Sequence, residues 1–281
     1  MKNNSIKARV FLVGCPRSGT TLLQSMLAAH PKIISFPESK FFQRAINPDS
    51  FRSKFGLVST RARANFNQFF ADINRKEMQQ LLPNKSPLIH QHSQAFIKAL
   101  DLIAIQQNKS CWLEKTPAHL HRINYIEKLV NNAKFIHIIR NGIDVVSSLY
   151  SVSSQYPEIW NGAWNIDKCI QRWLNDIHIS NLYSEQYNHS IVKYEALIEN
   201  PQLELEKLCK FIEIYFDKQM ICDRHTVTKD IIRKNEEWKS SVSKEIQNSK
   251  QKKFYNLFDA NQRKYILNKI SVTPNKYRII L

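Results

Sequence analysis

The sequence predicts an α/β fold with a central, mainly parallel sheet flanked by helices. Three observations predict it: an apolar run ending in a glycine loop, a second apolar run ending at an arginine, and a helical pattern after each. Val10–Val13 is continuous in apolar residues and closed by Gly14, as expected of a strand buried on both faces. Beyond the loop, Thr20–Leu27 places Leu22, Leu23, Met26 and Leu27 on one helical face, and His30-Pro31 stops the helix. Lys134–Ile139 reads as a second strand ending at Arg140, and Asn141-Gly142 leads into a helix over Asp144–Tyr150. Ser190–Tyr194 is a third, weaker strand, followed by a helix from Pro201 to Ile212 with proline in its first turn. Strands alternating with helices imply parallel pairing, with ligands bound at the carboxyl ends of the strands.

Residues 1–281 read as one domain, without internal repeat or Pro/Gly/Ser linker. The stretch 41–108 reads as mostly helical, a substrate or lid insertion in which Phe66, Phe69 and Phe70 suit core or lid packing better than a cofactor box. The segment 229–281 is basic and helical in pieces. At 43% hydrophobic and 23% charged residues the composition is that of a soluble globular protein. No run approaches the ~20 apolar residues of a membrane span, and no apolar segment of signal-peptide length follows Met1, so a cytoplasmic protein without a membrane span is expected. Five scattered cysteines without a C-x-x-C pair argue against a disulfide framework and a zinc site. The net charge of +17 favours anionic ligands, although its dispersal equally fits solvated surface charge. No stripe of aromatics interleaved with Lys/Arg is visible, so no specific nucleic-acid partner is expected.

The chain has only five glycines, and Gly14 and Gly19 bracket one loop. Strand, G-x-x-x-x-G and helix together form a P-loop, in which backbone N–H groups and the helix N-terminus hold a phosphate. Nucleoside-triphosphate enzymes follow the second glycine with Lys and Ser/Thr, for the β/γ-phosphates and Mg²⁺. Here Thr20-Thr21 follow Gly19. The phosphate cradle is kept, while the device for a metal-bound triphosphate, and with it a small-molecule kinase using ATP, loses its support.

Pro16-Arg17-Ser18-Gly19-Thr20-Thr21 resembles the 5′-phosphosulfate loop of sulfotransferases that use 3′-phosphoadenylyl sulfate (PAPS), in the form found in tyrosylprotein, heparan and bacterial enzymes. His30-Pro31, Glu38-Ser39-Lys40-Phe41-Phe42, Glu114-Lys115-Thr116-Pro117, Arg140 with Ser148, and Tyr194-Glu195 with Leu197 and Pro201 extend the resemblance in order. It is dense to about Ile212 and thin beyond.

The resemblance implies metal-free sulfuryl transfer from PAPS to a hydroxyl on a carbohydrate, tyrosine, lipid or small molecule, leaving adenosine 3′,5′-bisphosphate (PAP). It assigns Arg17 to the transferring sulfonate, and Pro16, Arg17, Ser18, Gly19, Thr20 and Thr21 to the 5′-phosphate. Arg140 and Ser148 would hold the 3′-phosphate and Tyr194 would touch the nucleotide. Glu38 would be the general base, ionised at neutral pH given a free glutamate pKa of ~4.3. Lys115 would stabilise the bridging oxygen. His119 and His121 are the other candidate bases. Cytosolic relatives carry a histidine two positions after a lysine resembling Lys115, and that position here is Pro117, which favours Glu38. Arg233 and Lys234 resemble, loosely, the late basic segment that seals the cofactor, and Trp238 would stack on adenine or simply pack. Thr20 and Thr21 can cap the helix as well as bind, and Cys15 reads as a small loop filler. A non-catalytic binder of nucleic acid or sulfated glycan is the remaining alternative.

Overall fold

The computed structural model describes residues 5–232 and 251–271. Strand β1 (Ala8–Gly14) leads through the glycine loop into α1 (Thr20–Ala28), and β2 (Ile33–Ser35) follows. Four helices, α2 (Phe41–Ala45), α3 (Phe51–Lys54), α4 (Ala62–Asp72) and α5 (Ile89–Gln106), precede β3 (Cys111–Lys115). A 3₁₀ turn, Pro117–Arg122, and α6 (Ile123–Leu129) lead to β4 (Ala133–Ile139). Helices α7 (Gly142–Gln155), α8 (Pro157–Trp160) and α9 (Ile166–Leu182) separate β4 from β5 (His189–Lys193). After β5 come α10 (Tyr194–Glu199), α11 (Pro201–Phe211), α12 (Gln219–Cys222), α13 (Thr228–Ile231), α14 (Lys252–Leu257) and α15 (Ala260–Ser271).

The strands form one parallel sheet in the order β2-β3-β1-β4-β5. β1 lies at the centre, where the order reverses. In such sheets ligands bind in the crevice beyond the carboxyl end of that strand. The register brings Leu12 beside Lys115 and Gly14 beside Ile138, so the glycine loop, the end of β3 and the end of β4 meet at one edge.

Alternation along β1 divides the core. Phe11 and Val13 face the layer formed by α2 to α6, whereas Ala8, Val10 and Leu12 face α1 and α11. A third cluster of Ile139, Val145, Leu149, Trp173, Phe254 and Phe258 joins α7, α9 and α14. In the first layer Phe96 stacks on Phe41 at 4.2 Å between centroids and meets Phe42, Phe66, Phe69 and Phe70. All six rings are buried. Phe66, Phe69 and Phe70 are therefore core.

Sequence and structure differ in three places. β3 escapes an apolar-run search because it ends in Glu114-Lys115, yet all five of its residues are buried. The third strand is shifted by one residue, to His189–Lys193, so that Tyr194 opens α10 rather than ending the strand. The helix read as Asp144–Tyr150 spans Gly142–Gln155, because the Asn141 side chain accepts from the Asp144 N–H at 3.0 Å and caps it two residues earlier. Among the described residues no helix is long and apolar enough to cross a membrane.

Because Phe96 joins five other rings, Phe96→Ala is expected to lower unfolding free energy by about 3–5 kcal/mol. Urea denaturation measures it. A loss below about 1 kcal/mol would place the strength of this layer elsewhere.

Candidate active site

The loop after β1 is squeezed between two neighbours. A Cβ on Gly14 would lie 2.4 Å from the Ile138 carbonyl oxygen, and one on Gly19, whose φ is 97°, would lie 2.4 Å from the Tyr194 ring. Only glycine fits either position. Gly19 is also the N-cap of α1 and supplies no side chain to its free N–H groups, which are left for a ligand. Thr20 and Thr21 thus open the helix from within it and are both buried. Cys15 is buried beneath the loop, where burial first and the Asp176 carboxylate second push its thiol well above the usual range. That is the environment of an inert filler.

Pro16 and Arg17 form the turn. Arg17 holds a left-handed φ of 74°, which costs a non-glycine residue about 1–2 kcal/mol. Its Nε donates to Ser148 Oγ at 3.0 Å, linking the loop to α7. Burial and then the charge of Arg140 push its guanidinium pKa down to about 10, so it remains a cation at neutral pH. Arg140 lies just beyond β4, with its guanidinium carbon 4.1 Å from the centre of the Tyr194 ring. One of its nitrogens donates to Asp144 Oδ2 at 3.1 Å. The Trp173 indole fixes the Arg140 carbonyl at 3.0 Å, and Glu195 holds the next residue through the Asn141 N–H and Nδ2.

A third cation comes from a region where the sequence offered no motif. Lys253, on α14, reaches solvent, yet the surrounding protein and then the charges of Arg17 and Arg140 lower its ammonium pKa. Phe254, buried with Val145 and Leu149, seats α14 against α7. Arg17, Arg140 and Lys253 therefore lie within reach of one another's charge, by the crevice expected beyond the carboxyl end of β1. Beside them, Ser18 Oγ and Arg140 Nε are buried without a hydrogen-bond partner among the described residues. Buried polar groups are ordinarily satisfied, so this pair of orphans beside clustered cations fits an anionic ligand bearing several oxygens.

The neighbouring strand end carries the second half of the site. Lys115 Nζ donates to Glu38 Oε1 at 2.6 Å, with the lysine fully buried and the glutamate nearly so. Glu38 does not start a helix; α2 begins at Phe41, after Lys40 in a left-handed turn. Behind the pair, the buried Glu114 carboxylate accepts from Ser39 N at 3.2 Å, Ser39 Oγ at 2.7 Å and Thr116 Oγ1 at 2.6 Å, and meets His119 Nδ1 at 2.8 Å. Burial pushes this carboxyl up, but the charge of His119 and the hydrogen bonds from His119, Thr116 and Ser39 prevail, leaving it below the usual carboxylate range.

Both histidines named as candidate bases face buried carboxylates. His119 is wholly buried against Glu114 between Phe11 and Phe42. His121 Nε2 meets Asp176 Oδ1 at 2.7 Å, and Arg172 donates to the other oxygen at 2.6 Å. The structure thus brings together Arg17 with Ser148, Arg140 with Tyr194, and Glu38 with Lys115. Arg233, Lys234 and Trp238 lie outside the described residues.

A family model described as "Sulfotransferase family" matches residues 9–218. Protein-tyrosine sulfotransferase A of Caenorhabditis elegans is 24% identical over 231 residues, covering 81% of this chain and 56% of its own. The chain spans about half the length of the curated relatives it matches. Among solved structures, the sulfotransferase domain of the Synechococcus PCC 7002 olefin synthase superposes with a TM-score of 0.62 at 19% identity, covering 96% of this chain and 97% of that one. A mouse sulfotransferase complexed with PAP superposes at 0.51 with 13% identity, covering 98% and 88%. The matched span contains the glycine loop, Glu38, Lys115, Arg140 and Ser148, and the chain belongs to the sulfotransferase family.

Proposed function

We propose that the chain transfers a sulfuryl group from PAPS to a hydroxyl acceptor, with Glu38 as general base. The observation that carries this reading is the crevice of Arg17, Arg140 and Lys253, which holds two orphaned polar atoms and adjoins a phosphate loop without the triphosphate lysine. A nucleotide with anionic groups at both its 5′ and 3′ positions matches several cations spread across one crevice better than a single phosphate does. Complexes with PAP among structures of the same fold support the same donor.

In this reading the loop N–H groups, Ser18 and the first turn of α1 hold the 5′-phosphate. Arg140, seated on Tyr194, holds the 3′-phosphate with Ser148, joined by Lys253, and the Ser148 oxygen also orients the Arg17 guanidinium. The donor supplies the sulfuryl group, whose bond to the 5′-phosphate oxygen breaks as the acceptor oxygen bonds to sulfur. Glu38 takes the acceptor's hydroxyl proton. Lys115 and Arg17 stabilise the negative charge developing on the leaving side, which is the largest contribution that fixed charges make to such a transfer. The acceptor is a hydroxyl on a carbohydrate, tyrosine, lipid or small molecule.

Thermal unfolding with PAP against ATP plus Mg²⁺ tests the donor. At about 100 times its Kd a ligand adds about 2.7 kcal/mol, seen as a rise of several degrees in Tm. PAP is expected to give that rise, and stabilisation by ATP–Mg²⁺ alone would overturn the donor assignment. For the base, Glu38→Gln is expected to retain the PAP-induced rise while cutting turnover with a model phenol or sugar by about 100-fold or more. Unchanged turnover would move the base elsewhere. Arg140→Ala is expected to weaken PAP by about tenfold or more while leaving adenosine 5′-phosphate nearly unaffected. Equal losses would remove Arg140 from the 3′ position.

A further inference from the structure

Glu114 is a charged group in the core with no role in the transfer just described. It precedes Lys115 on β3, so the two side chains leave opposite faces of the strand. Glu114 pairs in register with Phe11 and faces the aromatic layer, while Lys115 pairs with Leu12. A carboxylate on that face would cost several kcal/mol if left without partners. It has four contacts instead, from Ser39 N, Ser39 Oγ, Thr116 Oγ1 and His119 Nδ1.

The chain positions of these donors matter. Ser39 directly follows Glu38, and Thr116 directly follows Lys115. One carboxylate therefore grips the backbone beside both members of the Glu38–Lys115 pair. Thr116 Oγ1 also accepts from the Lys40 N–H at 3.1 Å, and Ser39 Oγ accepts from the Phe41 N–H at 3.1 Å, which fixes the turn from Glu38 into α2. His119 ties the following 3₁₀ turn to the same point. Without Glu114 the segments bearing Glu38 and Lys115 would keep the ion pair and the Lys40 N–H bond to Thr116 Oγ1, but would lose the carboxylate that joins Ser39, Thr116 and His119 at one point.

We infer that Glu114 is a positioning residue for sulfuryl transfer: its buried carboxylate, shared among Ser39, Thr116 and His119, sets Glu38 against Lys115. The inference rests on the proposed role of Glu38 as base. It concerns the chemical step, since the hydrogen bonds of these four residues run to one another and to the turn into α2, on the Glu38–Lys115 side.

Glu114→Gln tests it, because glutamine keeps the shape but replaces one acceptor oxygen with a donor. The expected result is a loss of about 100-fold in kcat, the scale of a misplacement near 1 Å, with the donor KM and the PAP-induced rise in Tm held within about twofold and a degree or two of the parent. Should Glu114→Gln fail to fold, Ser39→Ala and Thr116→Val each remove one contact to Glu114, together with the bond the same hydroxyl accepts from the Phe41 or Lys40 N–H, and are expected to show a smaller loss confined to kcat. In the background of Glu38→Asp the Glu114→Gln loss should shrink, because residues that act as a unit are not additive. Three outcomes overturn the inference: a kcat unchanged in folded Glu114→Gln, a loss seen only in donor KM or in Tm, or full additivity with Glu38→Asp. If Glu38→Gln itself retains turnover, the base assignment fails, a result distinguishable from an inert Glu114 beside an essential Glu38.

Discussion

Keeping cations together is the constraint on which the donor side of this structure depends. The charge of Arg140 lowers the guanidinium pKa of Arg17, the charges of both lower the ammonium pKa of Lys253, and Asp144 forms an ion pair with Arg140. Apart from that one ion pair, the fold holds them by means other than opposite charge. Arg17 is fixed by a left-handed backbone and the Ser148 hydroxyl, Arg140 by the face of Tyr194 and a carbonyl pinned by Trp173. Lys253 is carried by a short helix whose anchor is the buried Phe254. Each device is apolar or neutral, so none competes with an arriving anion.

The Glu38–Lys115 side, proposed to receive the acceptor, follows the opposite rule. There the charges are matched, Lys115 with Glu38 and Glu114 with a ring of donors, and burial makes every unmatched atom costly. The turn Pro117–Arg122 lies between the two halves. His119 ties it to Glu114 beside the acceptor pair, and His121 ties it to Asp176, which lies against Cys15 beneath the donor loop. Two buried carboxylates thus brace one turn from both sides. This gives the histidines a structural use that needs no contact with substrate.

What the sequence made legible follows from which signals are local. β1, the glycine loop and α1 are encoded by adjacent residues, and their reading needed only apolar continuity and two glycines. Arg17, Arg140 and Ser148 were legible through motifs, although that Arg17 bonds Ser148 across the sheet was not, since it depends on strand order. β3 was hidden because its burial is achieved with charged residues, which no apolar-run search can detect. Lys253 had no signal at all; a lysine among Lys250, Lys252 and Lys253 gains its place only when α14 docks on α7. Asp176 was equally silent, for its partners come from a turn and from the loop rather than from its own helix. Only Arg172, one turn away, is local.

The 2.6 Å contact between Glu38 and Lys115 imposes an order on the chemistry proposed for them. A carboxylate bound to an ammonium is a weaker proton acceptor than a free one, and an ammonium bound to a carboxylate is a weaker stabiliser of a leaving oxygen. Each would therefore be least effective while paired with the other. In the proposed reaction, charge developing on the leaving side would draw Lys115 towards it, and the same movement would make Glu38 a better proton acceptor. The acceptor's proton would then transfer as the bond to sulfur forms rather than before it. A pair held loosely could make neither change in concert, and this is the use proposed for the packing around Glu114 behind it.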